Sequence, residues 1–367
     1  MQSWIRNVAS AALVVSCGSI IHTTYAGAQT SRPKAEEGYS LSVFARGVTG
    51  KYKTPDSIAV SAGRVFVGYG DGTLPDGSDG KNTEVVQYNL AGAVEHVYSV
   101  PGHNDGLKVD PATHLLWALQ NEDANPNLVV INPQTHQAKT YLFQAPPPNG
   151  GGYDDIVFRN GKVYLSASNP ANNPNNQPAI VQARLEGQSI AVTPVLEGNA
   201  QATNVVTGAV VALNLQDPDS MTLDPSGDLV LTSQADAELV VVRKPNTPGQ
   251  SVLLIPLTSP YGAPQVDDTL FTPTEDGYIL IADKSGNTVY ALHRRAFTPG
   301  AAYSAAQGTS GSQTVGFVGR LDPEFGLLTP VVTGLGNPGG LAFVQTGRES
   351  EDEDGRGACD AGSASVR

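Results

Sequence analysis

The 367-residue chain carries 22 Lys+Arg against 35 Asp+Glu, a formal net charge of −13, and charged residues make up only 16% of it. No basic cluster is available to meet a phosphate backbone, which excludes nucleic acid as a partner and leaves a metal cation or a neutral ligand as the better fit. Forty glycines and 26 prolines, beside many Val, Leu, Thr and Tyr, argue against long helices and for an all-β fold of short strands and frequent turns.

In chain order, residues 1–28 read as a signal peptide: Arg6 precedes an apolar stretch that ends in the small-residue cleavage signal Ala26-Gly27-Ala28. Val14-Val15-Ser16-Cys17 also reads as a lipoprotein cleavage box, so a lipid anchor at Cys17 stays open beside ordinary cleavage. Either route predicts a secreted or periplasmic protein without a transmembrane segment. Cleavage before Gln29 leaves Cys359 alone, so no intramolecular disulfide can form. Residues 29–347 are expected to form one β-propeller domain. Residues 348–367, acidic and free of large apolar side chains, are expected to be a disordered tail.

Within the domain one grammar recurs: an acidic or small pair, a few alternating apolar residues, a turn, and a second strand rich in aromatic and β-branched residues. It begins at Pro55 (PDSIAVSAGRVFVGYG), Asn104 (NDGLKVDPATHLLWALQN), Tyr153 (YDDIVFRNGKVYLSASN), Pro218 (PDSMTLDPSGDLVLTSQAD) and Val266 (VDDTLFTPTEDGYILIADKSGN), with a degenerate copy at Pro338 (PGGLAFV). Taking Asp56, Asp105, Asp154, Asp219, Asp267 and Gly339 as equivalent gives separations of 49, 49, 65, 48 and 72 residues. A period of about 50 residues with four strands per unit predicts a six-bladed β-propeller. The two long intervals place insertions at 198–216 and 296–313. Ring closure is expected from Leu41–Phe44 lying beside Leu341–Val344. No second strand is legible after Val344, so the last blade is expected to be irregular or to borrow from residues 296–336.

Since the first strand of a blade lies innermost, Asp56, Asp105, Asp154, Asp219 and Asp267 are expected to form a ring around the central channel. Like charges at ~4 Å repel by about 4 kcal/mol at an effective dielectric near 20, so the ring needs neutralising. No basic residue recurs at these positions except Lys108. Calcium, which takes six to eight oxygen ligands, would serve, with Asn104 adding an amide oxygen. The same aspartates also suit turns, capping nearby backbone N–H groups. The doubled pairs Asp154-Asp155 and Asp267-Asp268 tilt toward ligands, because a turn needs only one carboxylate.

The segments at Tyr153, Pro218 and Val266 resemble the calcium-holding blade starts of the six-bladed lactonase propellers, the SMP-30/gluconolactonase and paraoxonase-like families. Those proteins place Asn-Asp, Asn-Gly and Asp-Asn pairs where this chain has Asp154-Asp155, Asp219-Ser220 and Asp267-Asp268; similar motifs occur in non-enzymatic NHL-type propellers. The chain departs from the pattern at Pro55-Asp56, where a glutamate is usual, and in lacking the paraoxonase-type disulfide. The resemblance implies a calcium-dependent hydrolase of lactones or related esters acting on a small molecule, with a non-catalytic propeller that binds a ligand, glycan or protein as the alternative. A lactonase needs a base to activate water, and His103, next to Asn104 and Asp105, is the candidate. Asn121, Glu122, Asp123 and Asn169, in loops after second strands, are substrate-contact candidates.

Overall fold

The computed structural model describes residues 32–346; the predicted export segment with Cys17 and the predicted tail with Cys359 lie outside the described residues. Among the described residues every regular element is a strand, and no helix is long and apolar enough to cross a membrane. After β1 (Lys34–Ala35) and β2 (Tyr39–Arg46), the strands β3 (Pro55–Ser61), β4 (Arg64–Tyr69), β5 (Asn82–Asn89) and β6 (Val94–Pro101) form an antiparallel sheet in sequence order. Two further meanders follow: β7 (Asn104–Val109), β8 (Leu116–Gln120), β9 (Asn127–Ile131) and β10 (Ala138–Phe143), then β11 (Ile156–Arg159), β12 (Lys162–Ser166), β13 (Pro178–Glu186) and β14 (Ser189–Glu197). They join edge to edge into one eight-stranded sheet, because β10 runs parallel to β14 with Leu142 opposite Ser189. The tight β11–β12 hairpin turns on Asn160 and Gly161, both at positive φ, as a two-residue turn that follows the strand twist requires.

The residues 198–216, expected as an insertion, contain a short hairpin of β15 (Gln201–Asn204) and β16 (Val210–Ala212). It widens the sheet of β17 (Pro218–Leu223), β18 (Leu229–Ser233), β19 (Glu238–Arg243) and β20 (Ser251–Pro256), with β15 parallel to β20. The remaining strands depart from the sequence expectation. β21 (Gln265–Phe271) does not pair with the next strand, β22 (Gly277–Asp283). It pairs instead with β24 (Ala302–Ser310), which continues into β25 (Gln313–Asp322), β26 (Leu327–Leu335) and the N-terminal β1. Meanwhile β22 and β23 (Thr288–Arg294) form a sheet in the order β2-β23-β22-β27, β27 being Pro338–Gln345. The repeat at Val266 is therefore divided between two sheets. The stretch 296–313 supplies a full strand, and the last sheet borrows its middle strands from residues before 296. The N-terminal strand joins the C-terminal one in a single sheet, but at its opposite edge, on β23 and not on β27.

The apolar residues of each strand alternate between the two faces of its sheet, and neighbouring sheets bury these faces against each other. Val67, Tyr69, Val86 and Tyr88 meet Leu280, Ala282, Val289 and Ala291, for example, all of them buried. The first strands touch in turn: β3 packs on β7 and β27, β11 on β7 and β17, and β21 on β17 and β27.

Polar ties fasten these first strands to one another. Asp155 Oδ2 accepts hydrogen bonds from the Met221 backbone N–H at 2.9 Å and from Lys108 Nζ at 3.0 Å, linking β7, the start of β11, and β17. Asp268 Oδ2 accepts the Leu341 N–H at 2.7 Å, and Ser220 Oγ donates to the Asp267 carbonyl at 2.6 Å. Burial works against the charge of Lys108, but Asp155 and Asp268 outweigh it and hold its pKa above the ordinary lysine value. Asp155→Ala would leave that ammonium and the Met221 N–H without their acceptor, so it is expected to cost about 3–5 kcal/mol in urea unfolding.

Burial, followed by the charge of Asp236, raises the Glu238 pKa from 4.5 to about 7. Its protonated form is thus favoured by folding, and its stabilising contribution, complete below pH ~4.5, is lost as the pH rises through ~7. Glu238→Gln is expected to raise the melting temperature at pH 8 and leave it unchanged at pH 4, as measured by thermal scans at both pH values.

Candidate metal-binding cavity

A cavity of about 180 Å³ opens at the starts of the first strands, with Asp105, Glu122, Asp154, Asp219, Asp267 and Lys284 in its wall. Asp105, Asp219 and Asp267 arrive on β7, β17 and β21, while Asp154 comes from the segment just before β11. Glu122 comes from the loop after β8, and the left-handed Asn121 (φ 64°) sets that loop's path. Asn121 Oδ1 accepts the His103 N–H at 2.8 Å and its Nδ2 donates to the Asn125 carbonyl at 3.0 Å, which pins the loop on both sides.

Oxygen atoms of Asp105, Glu122 and Asp154 lie within 4.8 Å of one another, as do ligand atoms of Asp56, His103 and Asp105. Glu122 Oε2 is buried without a hydrogen-bond partner. Burial first, and then the charge of Asp105, pushes the Glu122 pKa well above the carboxylate range. Asp154 and Asp219 are raised well above that range as well, by burial first and then by nearby carboxylates. Burial opposes charge at Asp105 too, but its contact with Glu122 and the field of Lys284 prevail and hold its pKa below the usual value. The two neighbouring carboxyl groups are thus pushed in opposite directions, Glu122 up and Asp105 down.

Opposite this cluster stands a cation. Lys284 Nζ lies 2.9 Å from Asp56 Oδ1 and 3.0 Å from Asp267 Oδ2. Burial would depress its pKa, yet Asp267, Asp56 and Asp105 together raise it well above the ordinary lysine value. His103 stands beside Glu122. Thr73 Oγ1 donates to the Gly70 carbonyl at 2.7 Å, which leaves it to accept from His103 Nδ1–H, also at 2.7 Å. That bond fixes the neutral tautomer that keeps its lone pair on Nε2, which lies 3.7 Å from Glu122 Oε2.

No family model matches the chain, and no curated protein matches it in sequence. Among solved structures it is similar to a periplasmic gluconolactonase of Pseudomonas aeruginosa (12% identity, 83% of this chain and 99% of that one, TM-score 0.46). It is also similar to a streptogramin B lyase (14%, 86% and 90%, 0.42) and to a putative gluconolactonase (12%, 82% and 83%, 0.45). Likeness at this level leaves the chemistry to the cavity residues themselves.

Of the ring residues read from sequence, the structure brings Asp105, Asp154 and Asp219 to one side of the cavity and places Asp56 and Asp267 against Lys284. Asn104 is not among the lining residues; its amide donates to the carbonyls of Leu119 at 3.0 Å and Gly106 at 3.4 Å. Asp268 is held by the Leu341 N–H, as described above. Glu122 and Asp123 line the cavity, whereas the side chain of Asn121 is engaged in its own loop, and the exposed Asn169 donates to the Asp123 carbonyl at 3.3 Å. Lys284, Thr73 and the carboxamides Gln234, Gln265, Gln307 and Asn337 escaped the sequence reading. Lys284 carried a usable signal, since it follows the second strand β22 just as Glu122 follows the second strand β8.

The sixth ring position, Gly339, makes room for the lysine: a Cβ there would stand 2.6 Å from Lys284 Cε and 2.9 Å from Asp56 Oδ1. Gly339→Ala is expected to displace the ammonium and to destabilise the protein by about 1–3 kcal/mol, as read from chemical denaturation.

Proposed function

We propose that the chain is a six-bladed β-propeller whose axial cavity binds one divalent cation, calcium by the hardness of its donors, and hydrolyses lactones or related esters. Six apolar clusters support the blade count, each shared by two successive four-stranded units, and the last of them joins the sheet of β22, β23 and β27 to that of β3–β6. The export signal read in residues 1–28 supports a secreted or periplasmic location.

One observation carries the functional reading: the partnerless, buried Glu122 Oε2 converges with Asp105 and Asp154 beside the lone pair of His103 Nε2. Three carboxylates, with Asp219 adjacent, suit an oxygen-seeking cation, whose remaining positions water or substrate oxygen would complete. Bound there, the cation would polarise a substrate carbonyl. His103 Nε2 accepts the proton of the attacking water, and Thr73 Oγ1 keeps the ring in the tautomer that can do so. Asp105 lies close enough to stabilise the imidazolium that results. A second reading, an acidic binding propeller without turnover, is favoured by Lys284, which supplies positive charge to the cavity without any metal.

Chelator-treated protein titrated with calcium is expected to bind it and to melt at a higher temperature. Asp154→Asn and Glu122→Gln should abolish both effects. On a panel of lactones and aryl esters, His103→Gln should lower kcat by about 100-fold or more while leaving calcium affinity intact. Absence of calcium binding sinks the metal reading, and binding without turnover selects the acidic binding propeller.

A further inference from the structure

We infer that Lys284 is a built-in counter-cation, filling the second of two cation positions in the cavity and so limiting it to a single divalent ion. The inference builds on the metal reading above and adds which of the two positions the ion is denied.

Two sets of convergent ligand atoms share the cavity residue Asp105: Asp105 with Glu122 and Asp154, and Asp56 with His103 and Asp105. Among the described residues, only the first contains a fully buried carboxylate oxygen without a hydrogen-bond partner, Glu122 Oε2. In the second, Asp56 Oδ1 is already engaged by Lys284 Nζ at 2.9 Å, and the same ammonium reaches Asp267 Oδ2 at 3.0 Å. A divalent ion on Asp56 would have to sit against this ammonium in a partly dehydrated space, where like charges repel strongly.

The lysine is aimed by rigid backbone. Its N–H donates to the Asn337 carbonyl at 2.8 Å. The Asp283 carboxylate beside it accepts the N–H groups of Gly286 at 3.1 Å, Gly336 at 3.1 Å and Asn337 at 2.9 Å, which locks the loop after β22 to the loop before β27. Gly339 then supplies the space, since any Cβ there would collide with Lys284 Cε. The absent sixth ring carboxylate and the lysine are thus one arrangement: a side chain is missing from the ring where an ammonium enters it.

The test counts calcium ions per chain by equilibrium dialysis. Wild type and Lys284→Arg should bind one, and Lys284→Met should bind two. The triple variant Lys284→Met/Asp56→Asn/Asp267→Asn, which neutralises both carboxylates paired with the lysine and so guards against misfolding of the single variant, should return to one. Without calcium Lys284→Met should melt below wild type, and calcium should raise its melting temperature by more than it raises that of wild type. One ion in both wild type and Lys284→Met overturns the inference and spares the metal reading. No ion in wild type but one in Lys284→Met removes the metal reading and with it the single-ion limit, and upholds only that Lys284 occupies a cation position. No ion in either overturns both.

Discussion

The arrangement turns on keeping like charges apart at the point where the first strands meet. Four aspartates from four strand starts, with Glu122 beside them, converge on a space of about 180 Å³, with Asp56 behind Lys284, and each ionised pair at ~4 Å would cost about 4 kcal/mol at an effective dielectric near 20. The chain divides the burden by position. Lys284 takes Asp56 and Asp267, Lys108 answers Asp155, and beside Asp105 the Glu122 pKa is raised by burial and then by that neighbour's charge. What is left is the side with Asp154 and Asp219, where burial and neighbouring carboxylates oppose ionisation and where a bound cation would relieve that opposition.

The doubled aspartates acquire a division of labour from the same geometry. In each pair the first residue, Asp154 or Asp267, faces the cavity, while the second, Asp155 or Asp268, accepts a backbone N–H from the strand that begins the next unit. Where the second residue is glycine the strands come too close for any side chain: a Cβ on Gly106 would lie 2.3 Å from the Asp154 carbonyl, and one on Gly340 would lie 2.5 Å from that of Asp56. Cavity chemistry and cohesion between units are thus written in adjacent residues, and neither can vary without the other.

The all-β character, the repeats and the aspartate ring were legible because they depend on local pattern: alternation, turn residues and spacing. The segments beginning at Tyr153 and Pro218, with their apolar alternation and internal turns, needed no knowledge of the rest of the chain. Strand partnership was not legible in the same way. Nothing in VDDTLFTPTEDGYILIADKSGN reveals that its two halves enter different sheets, because alternation specifies a buried face and not a neighbour. The orientation of Asn104, whose amide turns to backbone carbonyls, and the reach of Lys284 across to Asp56 likewise depend on contacts between distant parts of the sequence.

The sheet built from β2, β23, β22 and β27 draws on residues 39–46, 277–294 and 338–345. Until the final eight-residue strand is available, β22 presents a bare edge of unpaired backbone groups, and the face that covers β3–β6 is incomplete. Completion of this sheet is therefore a late, long-range event in folding. A chain cut short before Pro338 would lack Gly339 as well, and with it the contact surface around the lysine. The order of synthesis thus acts as an assembly check, since the cavity can form only after the chain has been made through β27.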